Sequence, residues 1–170
     1  AKSRDVLRPM VADALAAGLR PAIYGSGWEG LVDPTLVVSG YVPNRDLPVV
    51  YASAGVVLND HWGTMAAWGF VSNRIFDVAA CGTPVVSDHL PEIPALFGDL
   101  VPTWRDPVEL GEIVAALHSD PDGTRRRVDR LRRLVLDLHT FDHRARRLLE
   151  AVAEHLGTAV GGSLPSGRRR

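Results

Sequence analysis

The sequence predicts an α/β domain, a mainly parallel sheet flanked by helices with further helices at its C-terminal end. Two observations carry this. Short apolar runs that suit strands alternate with stretches whose apolar residues recur at helical spacing, the pattern of parallel strands joined by helical crossovers. The strand-like runs also end in polar or glycine-containing segments, at residues 25–28, 40–42, 59–62 and 87–89. Ligands of open parallel sheets bind outside the carboxyl ends of the strands. Function should therefore lie in those segments.

Composition sets the bounds. A chain of 170 residues, 46% hydrophobic and 23% charged with a net charge of -1, suits one globular domain with a real core. One cysteine excludes a disulfide framework and a cysteine-based zinc site. No apolar run reaches the roughly 18 residues a membrane span needs. Residues 1–20 lack an unbroken apolar core and a cleavage pattern, so no leader is read and the compartment is taken as cytoplasmic by default. Charge is uneven: residues 1–122 carry 15 acids and 7 bases (-8), and residues 125–170 carry 5 acids and 12 bases (+7). The basic end reads as solvated helix faces rather than a nucleic-acid or membrane surface.

The elements follow in order. Residues 3–18 form the first helix signal, with Ser3 as N-cap and Gly18 as stop. Strands are expected at 21–24, 35–39, 55–58 and 84–86, with a last edge strand at Leu100 and Val101. Asn44, Arg45 and Asp46 open a short helix, and residues 61–71 form a polar, aromatic loop. Ser72 caps a helix over 73–81 that Gly82 stops, and another short helix lies near 91–97. Asp106, Pro107 and Glu109 start a helix in the manner of a capping box, and it runs to about His118. Two basic amphipathic helices follow, carrying Val128, Leu131, Leu134, Val135 and Leu138, then Phe141, Ala145, Leu148, Leu149 and Val152. Residues 157–170 lack periodicity and read as a disordered tail. The chain opens on a helix where doubly wound domains open on a strand, so an N-terminally truncated domain over 1–156 is expected.

Chemistry concentrates at the helix over 73–81. Free N–H groups and the positive dipole end at its start suit phosphate. Arg74 in its first turn works against that dipole, a conflict that a bound diphosphate would resolve. Asp77 shares a face with Asn73 and Arg74, and its carboxylate could accept ribose hydroxyls; a plain surface pair of Arg74 with Asp77 explains the spacing equally. Lys2, Ser3 and Arg4 form either a second phosphate cradle or ordinary capping. Asp60–His61 and Asp88–His89 are acid–base pairs without a nucleophile, and no spacing motif indicates a metal site. Gly25, Ser26 and Gly27 lie too far from a helix start for a dinucleotide fingerprint. Trp28, Trp62 and Trp68 either wall a pocket or pack under loops.

The run Asn73-Arg74-Ile75-Phe76-Asp77-Val78-Ala79-Ala80-Cys81-Gly82-Thr83-Pro84-Val85-Val86-Ser87-Asp88 resembles the nucleotide-sugar-binding segment of group 1, family 4-like GT-B glycosyltransferases. The resemblance is closer to the CgeB-like branch. It extends through Tyr24-Gly25-Ser26-Gly27-Trp28, Gly40-Tyr41-Val42-Pro43-Asn44, Val57-Leu58-Asn59-Asp60-His61-Trp62, Gly69-Phe70-Val71-Ser72-Asn73-Arg74 and His139-Thr140-Phe141-Asp142-His143-Arg144-Ala145. It spans about residues 1–152 and implies the Rossmann-like C-terminal half of a GT-B fold, entered after its first strand. That half would hold a nucleotide-sugar donor, and an N-terminal domain would bind the acceptor. Transfer in the family is retaining and metal-independent, with no cofactor. The resemblance implies that Ser3 and Arg4 end a phosphate loop, that Tyr41 and Val42 contact the base, and that Ser72, Asn73 and Arg74 face the diphosphate. Asp77 would hold the ribose, and Trp28 and His61 complete the expected donor site. The chain departs from family 4 in carrying Gly69 where a glutamate is usual and Asp77 where the second acid is usually glutamate. A binding module that holds a nucleotide or nucleotide sugar without turnover is the alternative. A receiver-type signalling domain built on Asp60 lacks the acidic pair and lysine it requires.

Overall fold

The computed structural model describes residues 6–157. In chain order its elements are α1 (Pro9–Ala16), β1 (Ile23–Tyr24), β2 (Val37–Ser39), α2 (Leu47–Ser53), β3 (Val57–Asn59), α3 (Gly63–Ala67) and α4 (Asn73–Cys81). Then come β4 (Val85–Asp88), α5 (Glu92–Phe97), β5 (Thr103–Trp104), α6 (Pro107–Ser119), α7 (Pro121–Leu138) and α8 (Phe141–Leu156). Every strand pairing is parallel, in a two-stranded sheet β1-β2 and a three-stranded sheet β3-β4-β5. The expected α/β class, parallel strands flanked by helices, is the class observed.

β4 is the central strand of its sheet, and its two valines show why a continuous apolar run suits that place. Side chains alternate between faces along a strand. Val86 enters one core with Val11 and Ala14 of α1 and Leu110 and Val114 of α6. Val85 enters the other with Ile75 and Val78 of α4, Ile93 and Phe97 of α5, and Leu131 and Val135 of α7. The sheet is thus covered on both sides, and its carboxyl edge is left as the place for polar residues.

α4 has the ends its sequence predicts. The Ser72 hydroxyl accepts from the Arg74 N–H at 3.3 Å, and Gly82 closes the helix in the left-handed conformation at φ 76°. α7 turns Val128, Leu131 and Val135 inward. One of its arginines does more than face solvent: Arg132 Nε donates to the Ala80 carbonyl at 3.0 Å, satisfying an acceptor at the C-terminal end of α4.

Several expectations need correction. α1 starts at Pro9, with extended Arg8 as its N-cap (ψ 137°), because the Arg8 side chain is drawn to Asp60 and Pro9 fixes the first helical φ. The expected cap Ser3 lies outside the described residues. The last strand is Thr103–Trp104, not Leu100–Val101, since pairing of Ser87 with Thr103 and Asp88 with Trp104 sets the register. The loop over 61–71 contains the single turn of α3. No residue of α8 is buried, so its apolar stripe from Phe141 to Leu156 faces outward. Gly157 ends α8 in the left-handed conformation, and the expected disordered tail otherwise falls outside the described residues.

Candidate functional site

The carboxyl ends of β3 and β4 lie side by side, with Asn59 opposite Ser87. Both residues are fully buried, and Asn59 Nδ2 donates to Ser87 Oγ at 2.9 Å. Ser87 Oγ in turn donates to Asp88 Oδ1 at 3.1 Å. His61, two residues beyond β3, closes the network. Its N–H donates to Asp88 Oδ2 at 3.0 Å and its Nδ1 lies 2.5 Å from Asp88 Oδ1. Its Nε2 accepts the Ser72 N–H at 3.0 Å. Accepting at Nε2 requires the neutral tautomer that carries its proton on Nδ1, and this is the proton offered to Asp88. Burial pushes the Asp88 carboxyl up, but the hydrogen bonds from His61 and Ser87 outweigh it and hold the group below the usual carboxylate range.

His61 is therefore a strut. Its side chain is 0% exposed, and both ring nitrogens are engaged between β4 and the residue that caps α4. What it holds in place is the start of α4, whose outer face carries Asn73, Arg74 and Asp77. Arg74 and Asp77 form no salt bridge within 4.0 Å among the described residues, although the Arg74 charge acts on the Asp77 carboxyl. Burial pushes the Asp77 carboxyl above its usual value, and the Arg74 charge offsets part of that rise. A helix start, a guanidinium outside any close salt bridge and a carboxylate one turn on can together receive an anion flanked by hydroxyl groups.

The other acid–base pairs dissolve on inspection. Asp60 is the buried partner of Arg8, whose Nε and Nη2 reach its two carboxylate oxygens at 3.1 and 2.5 Å. The Met10 N–H donates to the same carboxylate at 3.3 Å, and the Arg8 guanidinium stacks 3.6 Å above the Trp62 ring. Asp88 is bonded to His61 and Ser87, and His89, just past β4, has its Nδ1 3.1 Å from Thr103 Oγ1 instead. Among the described residues no group of three His, Cys, Asp or Glu side chains could hold a metal ion.

The structure thus gathers His61, Ser72, Asn73, Arg74 and Asp77 at one place. Tyr41 and Val42 follow β2 of the two-stranded sheet, with Tyr41 75% exposed. Trp28 is 2% exposed, packed in the core with its indole N–H unpartnered. Ser3 and Arg4 lie outside the described residues. Sequence reasoning missed the Asn59–Ser87 contact, although both strands change from apolar to polar at that register. It also missed Glu92. A Cβ built on Gly69, which sits at φ +63°, would meet Glu92 Oε1 at 2.5 Å, and Glu92 Oε2 is buried without a partner. A side chain at position 69 would therefore need both a strained backbone and a displaced Glu92.

No helix among the described residues is long and apolar enough to cross a membrane. No curated protein and no solved structure matched the chain significantly. A family model described as glycosyl transferase-like matches residues 2–150, a span that contains both sheets and the whole His61–Ser72–Asp77 arrangement. The chain belongs to the glycosyl transferase-like family.

Proposed function

We propose that the chain is the donor-binding domain of a GT-B glycosyltransferase of the CgeB-like branch, which transfers a sugar from a nucleotide-sugar to an acceptor. The observation that carries this reading is the start of α4. It is braced by His61 at the carboxyl edge of the sheet, with Arg74 beside it in no close salt bridge and Asp77 on the same face. In this reading the N-terminus of α4 and Arg74 receive the diphosphate, Asn73 lies beside it, and Asp77 accepts the ribose hydroxyls. Ser72 and His61 fix the helix that offers these groups. Tyr41 and Val42 are assigned to the base, and Ser3 and Arg4 to a second side of the phosphates. Transfer is taken as retaining and metal-independent, with the acceptor held by an N-terminal domain of a longer, cytoplasmic protein.

A panel of UDP-, GDP- and dTDP-sugars tests the reading by thermal shift, since a ligand that binds only the folded state raises stability. One member should raise the unfolding midpoint, and Arg74→Ala should abolish most of that rise. Absence of any shift across the panel would count against donor binding. A second reading, a module that binds the donor without turnover, is favoured by Gly69, whose surroundings are filled by Glu92. Donor binding without sugar release or transfer in the full-length protein would select it.

A further inference from the structure

Gly69 leaves room that Glu92 fills. The Glu92 carboxylate stands where a side chain at position 69 would begin, with Oε1 at 2.5 Å and Cδ at 2.9 Å from the place of its Cβ. Its Oε2 is buried, and no donor meets it among the described residues. A carboxylate accepts hydrogen bonds and offers none, so this oxygen needs a donor from elsewhere. On either side of Gly69 in the chain are Trp68 and Phe70, whose side chains are 84% and 68% exposed. The backbone that carries them is fixed. The N–H groups of Trp68, Gly69 and Phe70 all donate back into α3, to the Met65 and Ala66 carbonyls, at 2.8–3.2 Å.

The place of this cluster in the fold indicates its ligand. Both segments that meet at the Gly69–Glu92 contact leave from the His61 brace. Gly69 lies three residues before Ser72, and Glu92 four residues after Asp88. Three residues of chain span at most roughly 11 Å, so Gly69 adjoins the start of α4. A sugar ring suits these groups. Its hydroxyls donate to a carboxylate, and its C–H bonds pack on the negative faces of aromatic rings.

We propose that Glu92, Trp68 and Phe70 form a sugar-binding subsite, in which the Glu92 carboxylate accepts hydroxyl groups of one monosaccharide ring and the two aromatic side chains pack against it. The ring is the donor's own sugar, bonded to the diphosphate at α4. That last assignment rests on the donor reading. The affinity for a sugar does not, since a free saccharide serving as acceptor offers the same hydroxyls.

Calorimetry on the full chain tests this with UDP, GDP and dTDP, with UDP-glucose, GDP-mannose and dTDP-glucose, and with free glucose and mannose at millimolar concentration. Glu92→Ala should weaken binding of the nucleotide sugar about 10–100-fold, the worth of a charged hydrogen bond, and Glu92→Gln by less. The loss should appear with the nucleotide sugar and not with the matching diphosphate. Trp68→Ala and Phe70→Ala should weaken the same ligand, and these exposed positions decide the matter if Glu92→Ala does not fold. A loss seen only with free glucose or mannose would support the subsite and give it to the acceptor. If no diphosphate and no nucleotide sugar binds the parent chain, the donor reading falls, and free-sugar binding that Glu92→Ala removes would still support the subsite. Equal losses for diphosphate and nucleotide sugar, or no effect of these variants on any sugar, would overturn the subsite and leave the donor reading standing. Failure of the parent chain to bind any of the sugars, free or nucleotide-linked, would overturn both.

Discussion

Replacing His61 separates the two bonds that brace α4. His61→Phe keeps the ring's bulk and removes both nitrogen contacts. It leaves the Ser72 N–H without its acceptor and removes one hydrogen bond from Asp88, which keeps those from Ser87 Oγ and the backbone N–H of residue 61. An orphaned buried donor costs about 1–3 kcal/mol, and a hydrogen bond to a charged group is worth about 1.5–3 kcal/mol. The His61 side chain is 0% exposed, but the Asp88 side chain is 29% exposed, so water recovers part of the bond lost there. The expected loss is about 2–4 kcal/mol. His61→Asn can still donate to Asp88 but cannot reach Ser72, so it should lose only about 1–3 kcal/mol. Urea unfolding of the three proteins measures both values. Donor affinity, measured by calorimetry on the folded fraction, should fall in both variants because the start of α4 is no longer fixed. If both variants unfold within about 0.5 kcal/mol of the parent, an ordinary surface effect, His61 is not a strut and the reasoning fails.

Other consequences are as direct. Asp77→Ala should weaken donor binding by about 10–100-fold, the worth of a charged hydrogen bond, and Asp77→Asn by less; unchanged affinity in the alanine variant would remove Asp77 from the ribose site. Because the Asp77 carboxyl is raised above 3.8 in the protein, donor affinity should already decline on acidification above that pH, and calorimetry across pH should show the decline lost in Asp77→Asn. Asp88 works in the opposite direction: its depressed carboxyl adds stability that is present above 3.8 and is lost as pH falls through the lower folded value, so Asp88→Asn should flatten the acid limb of a denaturation curve. Arg8→Met should cost about 3–5 kcal/mol by leaving Asp60 charged and buried, and adding Asp60→Leu should restore most of it, which equilibrium unfolding of the pair would check.

What was legible in the sequence was what neighbours along the chain decide. Ser72 and Gly82 bound α4 through bonds within three residues, and Asp106 caps α6 through the Glu109 N–H in the same way. Helical spacing likewise found the inward stripe of α7. The start of α1 was not legible, because Arg8 is held by Asp60, 52 positions away, while Ser3 offered a plausible local cap. The last strand was displaced for the same reason: Leu100 and Val101 have the more strand-like side chains, but pairing with β4 falls at Thr103 and Trp104. At the site, the shared face of Asn73, Arg74 and Asp77 followed from helical spacing. The brace behind it did not, since His61 acts on a backbone N–H and no sequence pattern marks such an acceptor. Trp28 shows a further limit: an aromatic residue after a glycine turn reads as a pocket wall until the core is seen to close over it.

The bond between His61 and the Ser72 N–H has one more consequence, for the stretch it encloses. It staples the two ends of an eleven-position excursion that contains α3 and the outward-facing Trp68 and Phe70, 84% and 68% exposed. A surface loop whose ends are tied together behaves as an independent module. Motion or sequence exchange among residues 63–68 is therefore screened from α4, which is anchored on the far side of the staple. The aromatic loop can diversify, and with it whatever that loop meets, while the helix behind it keeps its place.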